Sequence, residues 1–206
     1  MTYALVTGAT GFVGHHLVKR LIVDGVDVAC LVRATSDRSK LETLGAKVIV
    51  GDVTDAESLP PALAGVDVVY HVAGMTKSLD RRELVRVNEQ GVRNVAKACA
   101  ELPSPPVLLV VSSLAAAGPS DGSKQKSESD PAHPVSLYGR SKRAGEIAAY
   151  EYADRVPITI VRPPMVLGEG DGDGLQLFEM LRKLRFHLVP SFRDHYCSVV
   201  HADDLA

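Results

Sequence analysis

Six short runs rich in β-branched residues, YALVT (3–7), VDVACLV (26–32), KVIVGD (47–52), VDVVYHVA (66–73), PVLLVVSS (106–113) and PITIVR (157–162), alternate with stretches of helical periodicity. Runs of this kind are apolar at successive positions, so both of their faces are buried, and helices on both sides of a parallel sheet supply that burial. The expected fold is α/β, a doubly wound parallel sheet flanked by helices. Helical stretches fall at 12–24, 37–44, 80–101, 136–154 and 174–185, each beside a turn rich in Gly, Pro, Ser or Asp. With 206 residues, 46% of them hydrophobic, the chain holds one sizeable core, and a single domain over 1–206 is the expected organisation. One long polar segment, PSDGSKQKSESDPAHP (119–134), reads as a surface loop or mobile lid.

The 23 basic and 25 acidic residues leave a net charge of −2, which marks neither a nucleic-acid binder nor a membrane-surface protein. The expected partner is a small-molecule substrate. No apolar run approaches the roughly 20 residues that span a bilayer, and no basic leader precedes YALVTG, so the chain reads as cytoplasmic. Cys30, Cys99 and Cys197 are odd in number and far apart, which suits buried thiols in a reducing compartment better than a disulfide framework.

Against this background the segment TGATGFVG (7–14) gains a meaning. It joins the first strand to the first helix, where exposed helix N-terminal N–H groups meet a phosphate and glycine allows the backbone to approach it. Gly8 makes the turn, Gly11 admits a pyrophosphate, and Gly14 lets the helix lie against the strand; Thr10, Phe12 and Val13 complete the turn. An ordinary glycine-rich turn has the same composition, but its place in a βαβ unit points to a dinucleotide.

A second constellation lies at YGRSK (138–142). Tyr138 and Lys142 are four apart in a helical stretch and so project from one face. An ammonium there favours ionisation of the phenol, giving a tyrosine able to move a proton near neutral pH. The run PVLLVVSS ends with Ser112 and Ser113 where an open α/β sheet presents its ligand crevice, so a serine hydroxyl there holds a substrate oxygen beside the tyrosine. Either feature alone occurs by chance; their order after the glycine turn is harder to produce accidentally.

TGATGFVG, GDVTD (51–55), HVAG (71–74), VNEQGVRNV (87–95), VSSLAAAG (111–118), YGRSK and VVHADDLA (199–206) together resemble the extended short-chain dehydrogenase/reductase family, also called the NAD-dependent epimerase/dehydratase family. The resemblance covers nearly the whole chain and implies a Rossmann-type domain. It implies that Tyr138 is the general acid/base, that Lys142 binds the nicotinamide ribose and tunes the tyrosine, and that Ser113, five residues before Gly118, positions the reacting oxygen. It places Asp52 and Val53 beside the adenine, and Val72, Ala73, Gly74 and Pro163 along the cofactor path. Asn88 is expected as a structural cap, with a water-holding relay the alternative. Relatives often dimerise through helices corresponding to 80–101 and 136–154, which implies a homodimer. The family continues with a substrate lobe of roughly a hundred residues, a typical domain scale, so the chain reads as a truncated piece with most of that lobe absent.

The second strand ends LVRATSDR, with Arg33 in the region where an NAD-selective fold has an acidic residue. NADP is therefore the expected cofactor; NAD remains the alternative if Arg33 lies across the adenine. At the substrate end, Met165 stands where sugar-nucleotide members of the resembled family carry an asparagine, and Cys197 where they carry an arginine. Neither replacement grips a diphosphate. The expected reaction is hydride transfer between nicotinamide and a carbonyl or alcohol, resembling the dihydroflavonol reductase and 3β-hydroxysteroid dehydrogenase branches. A sugar-nucleotide epimerase or dehydratase and a non-catalytic NADP sensor are the alternatives. Arg182, Lys183, Arg185 and Arg193 offer another anion site or, more simply, a solvated face. His195, Cys197 and His201 superficially suggest a metal site, but the resemblance explains the segment and no metal is expected. His15 and His16 read as structural, Asp203 as a helix N-terminal residue, and His71 as a hydrogen-bonded core residue.

Overall fold

The computed structural model describes residues 2–78, 80–120, 125–185 and 197–206. Six parallel strands form the central sheet: β1 (Tyr3–Thr7), β2 (Asp27–Val32), β3 (Lys47–Val50), β4 (Val68–His71), β5 (Val107–Val111) and β6 (Ile158–Val161), in the spatial order β3-β2-β1-β4-β5-β6. Register is set by pairs such as Leu5 with Ala29 and Val69, and Val110 with His71 and Ile160.

Alternate side chains along each strand enter different cores. Leu5, Leu31, Val69 and Leu108 point to one face, where they meet Val92, Val95, Ala96 and Ala149 of the helices α4 (Gly91–Ala100) and α6 (Leu137–Tyr150). Ala4, Val6, Val28 and Cys30 point to the other, against Leu17, Val18 and Leu21 of α1 (Phe12–Val23) and Leu41 of α2 (Ser39–Thr43). This double burial is what continuous apolar strands require. Burial also pushes the Cys30 and Cys99 thiols up to about 12, leaving them unreactive; Cys197 is exposed.

The helix expected at 80–101 is three segments in series. Between α3 (Arg81–Val85) and α4 lies a π-helical turn, Arg86–Gln90, whose inserted residue turns Asn88 inward. Two 3₁₀ turns, Ala56–Ser58 and Pro60–Ala62, make the β3 to β4 crossover and bury Leu59 and Leu63. Short elements too small for periodicity to signal complete the described fold. These are α5 (Leu114–Ala117), the two-stranded parallel ladder of β7 (Met165–Leu167) with β8 (Val199–His201), and α8 (Ala202–Leu205). The last long helix, α7 (Gly172–Leu184), starts two residues earlier than expected because Asp171 caps it, accepting from Asp173 and Gly174 N–H. The polar segment 119–134 begins and ends at one place: His133 N–H donates to Ala117 O at 3.0 Å. Residues 121–124 of that segment lie outside the described residues.

The β1–α1 turn is dictated by steric exclusion. Gly8 has φ +73°, and a Cβ there would stand 2.6 Å from Ala73 N; a Cβ on Gly14 would stand 2.2 Å from Gly8 O. At the end of the same strand, Thr7 Oγ1 accepts from Ala73 N–H at 3.2 Å and lies 3.0 Å from His71 Nδ1. His71 is fully buried, and its Nε2 has no partner among the described residues. Burial, with the nearby Lys142 charge, lowers its pKa from 6.5 to about 3.

Two outcomes follow from this packing. Gly14→Ala lowers stability to urea by about 3 kcal/mol or more, whereas Gly172→Ala, with nothing within 4 Å of its Cβ position, stays within about 1 kcal/mol of wild type. An unfolded histidine protonates near 6.5 and the folded ring only near 3, so unfolding takes up a proton throughout that window. Stability therefore falls as the pH drops through it, by up to about 1.4 kcal/mol per pH unit from this ring. Urea midpoints measured from about pH 6.5 down to 4.5 flatten in His71→Gln.

Candidate active site

Three side chains of α6, spaced one turn apart, reach three successive residues at the end of β5. Lys142 Nζ donates to Val111 O at 2.7 Å; Glu146 Oε1 accepts from Ser112 Oγ at 2.6 Å; and the Tyr138 phenol stands at Ser113, whose hydroxyl hydrogen-bonds it. The spacing i, i+4, i+8 places all three on one face of the helix. Helix α6 starts where it does because Ser136 caps it, its Oγ accepting from Gly139 N–H at 2.9 Å. Its close approach to its neighbours needs Gly139 and Gly145, where a Cβ would come within 2.2 Å of Ala115 O and 2.1 Å of Asn88 O respectively.

Ser113 caps α5, its Oγ accepting from Ala115 N–H at 3.1 Å, and Leu114 N–H donates to the carbonyl of buried Pro163 at 3.0 Å. Burial raises the Tyr138 phenol above its ordinary range, and the Ser113 hydrogen bond opposes this. The expected lowering of the phenol by Lys142 is thus not the dominant effect, because that ammonium is directed at the Val111 carbonyl. Lys142 itself is 6% exposed, and burial lowers its pKa from 10.5 to about 8 against the opposing pull of Glu146.

Glu146 and Arg162 were not singled out by sequence. The carboxylate is fully buried and accepts four hydrogen bonds: Ser112 Oγ at 2.6 Å, Arg162 Nε and Nη2 both at 2.7 Å, and Arg143 Nη1 at 2.8 Å. Burial opposes its ionisation, but these donors, Arg162 first, hold its pKa below the usual value. The signal was available in YGRSKRAGE, which puts an acid one turn beyond Lys142. Asn88 takes the structural part of its two expected roles: its Oδ1 accepts from Met75 N–H at 2.8 Å, and its Nδ2 donates to Met75 O at 2.8 Å and to Ser141 Oγ at 2.9 Å. The cap thereby fixes Gly74, whose Cβ position lies 3.2 Å from Lys142 Nζ.

The glycine turn opens a few residues away. Thr10 and Gly11 are exposed, Phe12 and Val13 are half-buried, and a Cβ on Gly11 would touch only Gly8 O, at 3.2 Å. Gly11 is also the N-cap of α1 and offers no side chain to the N–H groups of the first turn. Arg33 is exposed at the end of β2. Asp52 is half-buried with Oδ1 accepting from Thr54 N–H and Oγ1, at 2.8 and 2.9 Å. Val53 differs: its side chain enters the core against Gly91, and its carbonyl accepts from Asn94 Nδ2 at 2.9 Å in a buried contact. Val72 and Ala73 are half-buried, one in each core. A cleft of about 390 Å³ lined by Thr76, Lys77, Ser78, Leu84, Leu137 and Tyr138 adjoins the phenol.

The β7–β8 ladder brings Met165 opposite Val199, two residues from exposed Cys197. Met165 thus lies on this small sheet, and Cys197 lies just ahead of its second strand. Arg182, Lys183 and Arg185 are exposed at the end of α7; Arg193 and His195 lie outside the described residues. His201 caps α8, accepting from Asp203 N–H. His16 joins α1 to the chain end, with Nδ1 2.6 Å from Asp203 Oδ1 and Nε2 2.8 Å from Glu169 O. No described helix is long and apolar enough to cross a membrane.

The chain is 35% identical over 201 residues to the ceramide reductase of Caulobacter vibrioides, covering 98% of this chain and 57% of that protein. It is 35% identical over 174 residues to sterol demethylase protein B of Methylococcus capsulatus, covering 81% and 52%. The chain thus spans little more than half the length of these relatives. Among solved structures, MoeE5 in complex with UDP-glucose and NAD superposes with a TM-score of 0.78 at 28% identity, covering 98% of this chain and 68% of that one. Residues 4–205 match the NAD dependent epimerase/dehydratase family, and the protein belongs to it.

Proposed function

We propose that the protein is a nicotinamide-dependent oxidoreductase that interconverts a free carbonyl and an alcohol, with NADP as cofactor, Tyr138 as acid/base, Lys142 as ribose contact and Ser113 holding the substrate oxygen. The observation that carries this reading is the convergence of Tyr138, Lys142 and Ser113 on the end of β5, beside a glycine turn that presents uncapped N–H groups.

The turn fits a dinucleotide. The space at Gly11 is bounded by backbone only, and the first-turn donors of α1 have no side-chain cap, which suits a pyrophosphate seated on Gly8, Thr10, Gly11, Phe12, Val13 and Gly14. Arg33 would hold the 2′-phosphate, Asp52 and Val53 would flank the adenine, and Val72, Ala73, Gly74 and Pro163 would border the path to the nicotinamide. The cofactor, when bound, supplies the hydride. Tyr138, kept protonated by burial, gives its proton to the substrate oxygen during reduction and recovers it in the reverse direction. Ser113 orients that oxygen, and Lys142 holds a positive charge near the place where negative charge develops.

The substrate reading favours an apolar carbonyl compound. Met165 and Cys197 offer no diphosphate donors, and the names of the two relatives refer to a ceramide and a sterol. The sugar-nucleotide alternative draws on MoeE5, which binds UDP-glucose and NAD. A cytoplasmic homodimer completes the reading; exposed Ile147 and Tyr150 of α6 and Val85 of α3 support an interface there.

Fluorescence titration tests the cofactor site. Gly11→Ala weakens NADPH binding about tenfold or more with a much smaller loss of urea stability than Gly14→Ala, and Arg33→Ala weakens NADPH relative to NADH. Loss of binding affinity without that selectivity change points to NAD. With a panel of ketones, Tyr138→Phe lowers NADPH oxidation by about 10²- to 10⁴-fold; an unchanged rate overturns the assignment, and sugar-nucleotide turnover without net cofactor change favours the epimerase.

A further inference from the structure

We propose that Glu146 is a positioning residue, an internal counter-ion that keeps the Lys142 ammonium charged and sets Ser113 against Tyr138. The inference rests on the roles given above to Lys142, Ser113 and Tyr138.

The geometry is a three-rung contact between one helix face and one strand end. Lys142 holds the carbonyl of Val111, Glu146 the side chain of Ser112, and Tyr138 meets Ser113. Strand β5 cannot slide along α6 without breaking all three rungs. The middle rung is also tied to β6. Arg162 grips both carboxylate oxygens at 2.7 Å, and Ser112 N–H donates to Val161 O at 2.7 Å. A fork of this kind fixes the carboxylate's plane as well as its position. Glu146 therefore joins α6 and the end of β5, from which the proposed reacting groups arise, to the end of β6.

Charge supplies the second part of the argument. Lys142 is buried beside the fully buried His71, so its ammonium loses hydration without gaining a carboxylate contact of its own. Its hydrogen bond goes to a neutral carbonyl. Glu146, one turn away and buried with it, is the carboxylate that opposes this loss. The groups facing the pair are Arg162, Arg143, His71 and Ser112, and the two arginines divide the Glu146 charge with Lys142. Removing the carboxylate charge would leave both arginines uncompensated close to Lys142, so the ammonium senses its loss.

The test follows the Lys142 titration by NMR in the full chain with ¹³Cε-labelled lysine, assigned by Lys142→Met. In Glu146→Gln, which keeps the shape and loses the charge, the Lys142 midpoint falls by about one pH unit from its wild-type value near 8. NADPH binding then weakens at correspondingly lower pH. Arg143→Met, at the more exposed partner, gives the opposite displacement and serves where Glu146→Gln does not fold. An unmoved Lys142 midpoint in either folded variant overturns the proposal, whatever happens to cofactor binding. Wild-type NADPH affinity in Lys142→Met, by contrast, overturns the ribose role of Lys142 while a displaced midpoint still establishes the counter-ion.

Discussion

Beyond the last residue pair of β1 and β4, the Thr7 hydroxyl and a backbone bond from Val72 N–H to Thr7 O tie the two strands together. Thr7 Oγ1 takes the N–H of Ala73 and meets the ring of His71. These strands flank the place where the strand order reverses, and the chains leaving them part to opposite faces of the sheet, α1 to one and α4 to the other. The divergence creates a crevice, the usual ligand position in an open α/β sheet. Its width is set at the tie: Gly8 approaches Ala73 so closely that no side chain fits between them. The glycine turn and the 72–74 segment are therefore placed by one contact, and neither can move independently of the other.

The interior of the opposite wall is organised by charge. A buried ion pair costs more in lost hydration than its attraction usually returns, so it contributes little to stability by itself. Glu146 avoids the worst of that cost by filling its acceptor positions with four donors, three from arginines and one from Ser112. What the arrangement contributes is geometry. Tyr138, Lys142 and Glu146 hold Ser113, Val111 and Ser112 in a fixed phase, and Asn88 extends the lattice through Ser141 to the backbone of Met75. The π-helical turn is the local cost of pointing Asn88 inward from a helix whose other buried residues face the sheet.

Sequence made the sheet legible because every central strand is apolar on both faces, a pattern that survives without any knowledge of partners. TGATGFVG and YGRSK were legible for a different reason: their chemistry is local, set by turns and by i, i+4 spacing. The π turn, the β7–β8 ladder and α5 were not, since each is shorter than the window over which periodicity registers. The Glu146–Arg162 fork was hidden because its partners lie on different elements, 16 residues apart, and only the fold brings them together. The balance of forces on Tyr138 was misjudged for a related reason. Spacing places an ammonium near the phenol, but burial and the competing Val111 carbonyl are tertiary quantities.

Burial raises the Tyr138 phenol above its ordinary range and so keeps it protonated at neutral pH. Lys142, with its pKa drawn down to about 8, keeps its charge at neutral pH by a narrow margin, and Glu146 supplies part of that margin. The two groups thus have opposite needs from the same apolar surroundings. Tyr138 gains from them by staying neutral, while Lys142 must resist them to stay charged. The Glu146 carboxylate one turn beyond Lys142 helps the ammonium in that resistance, since a nearby negative charge favours the charged form.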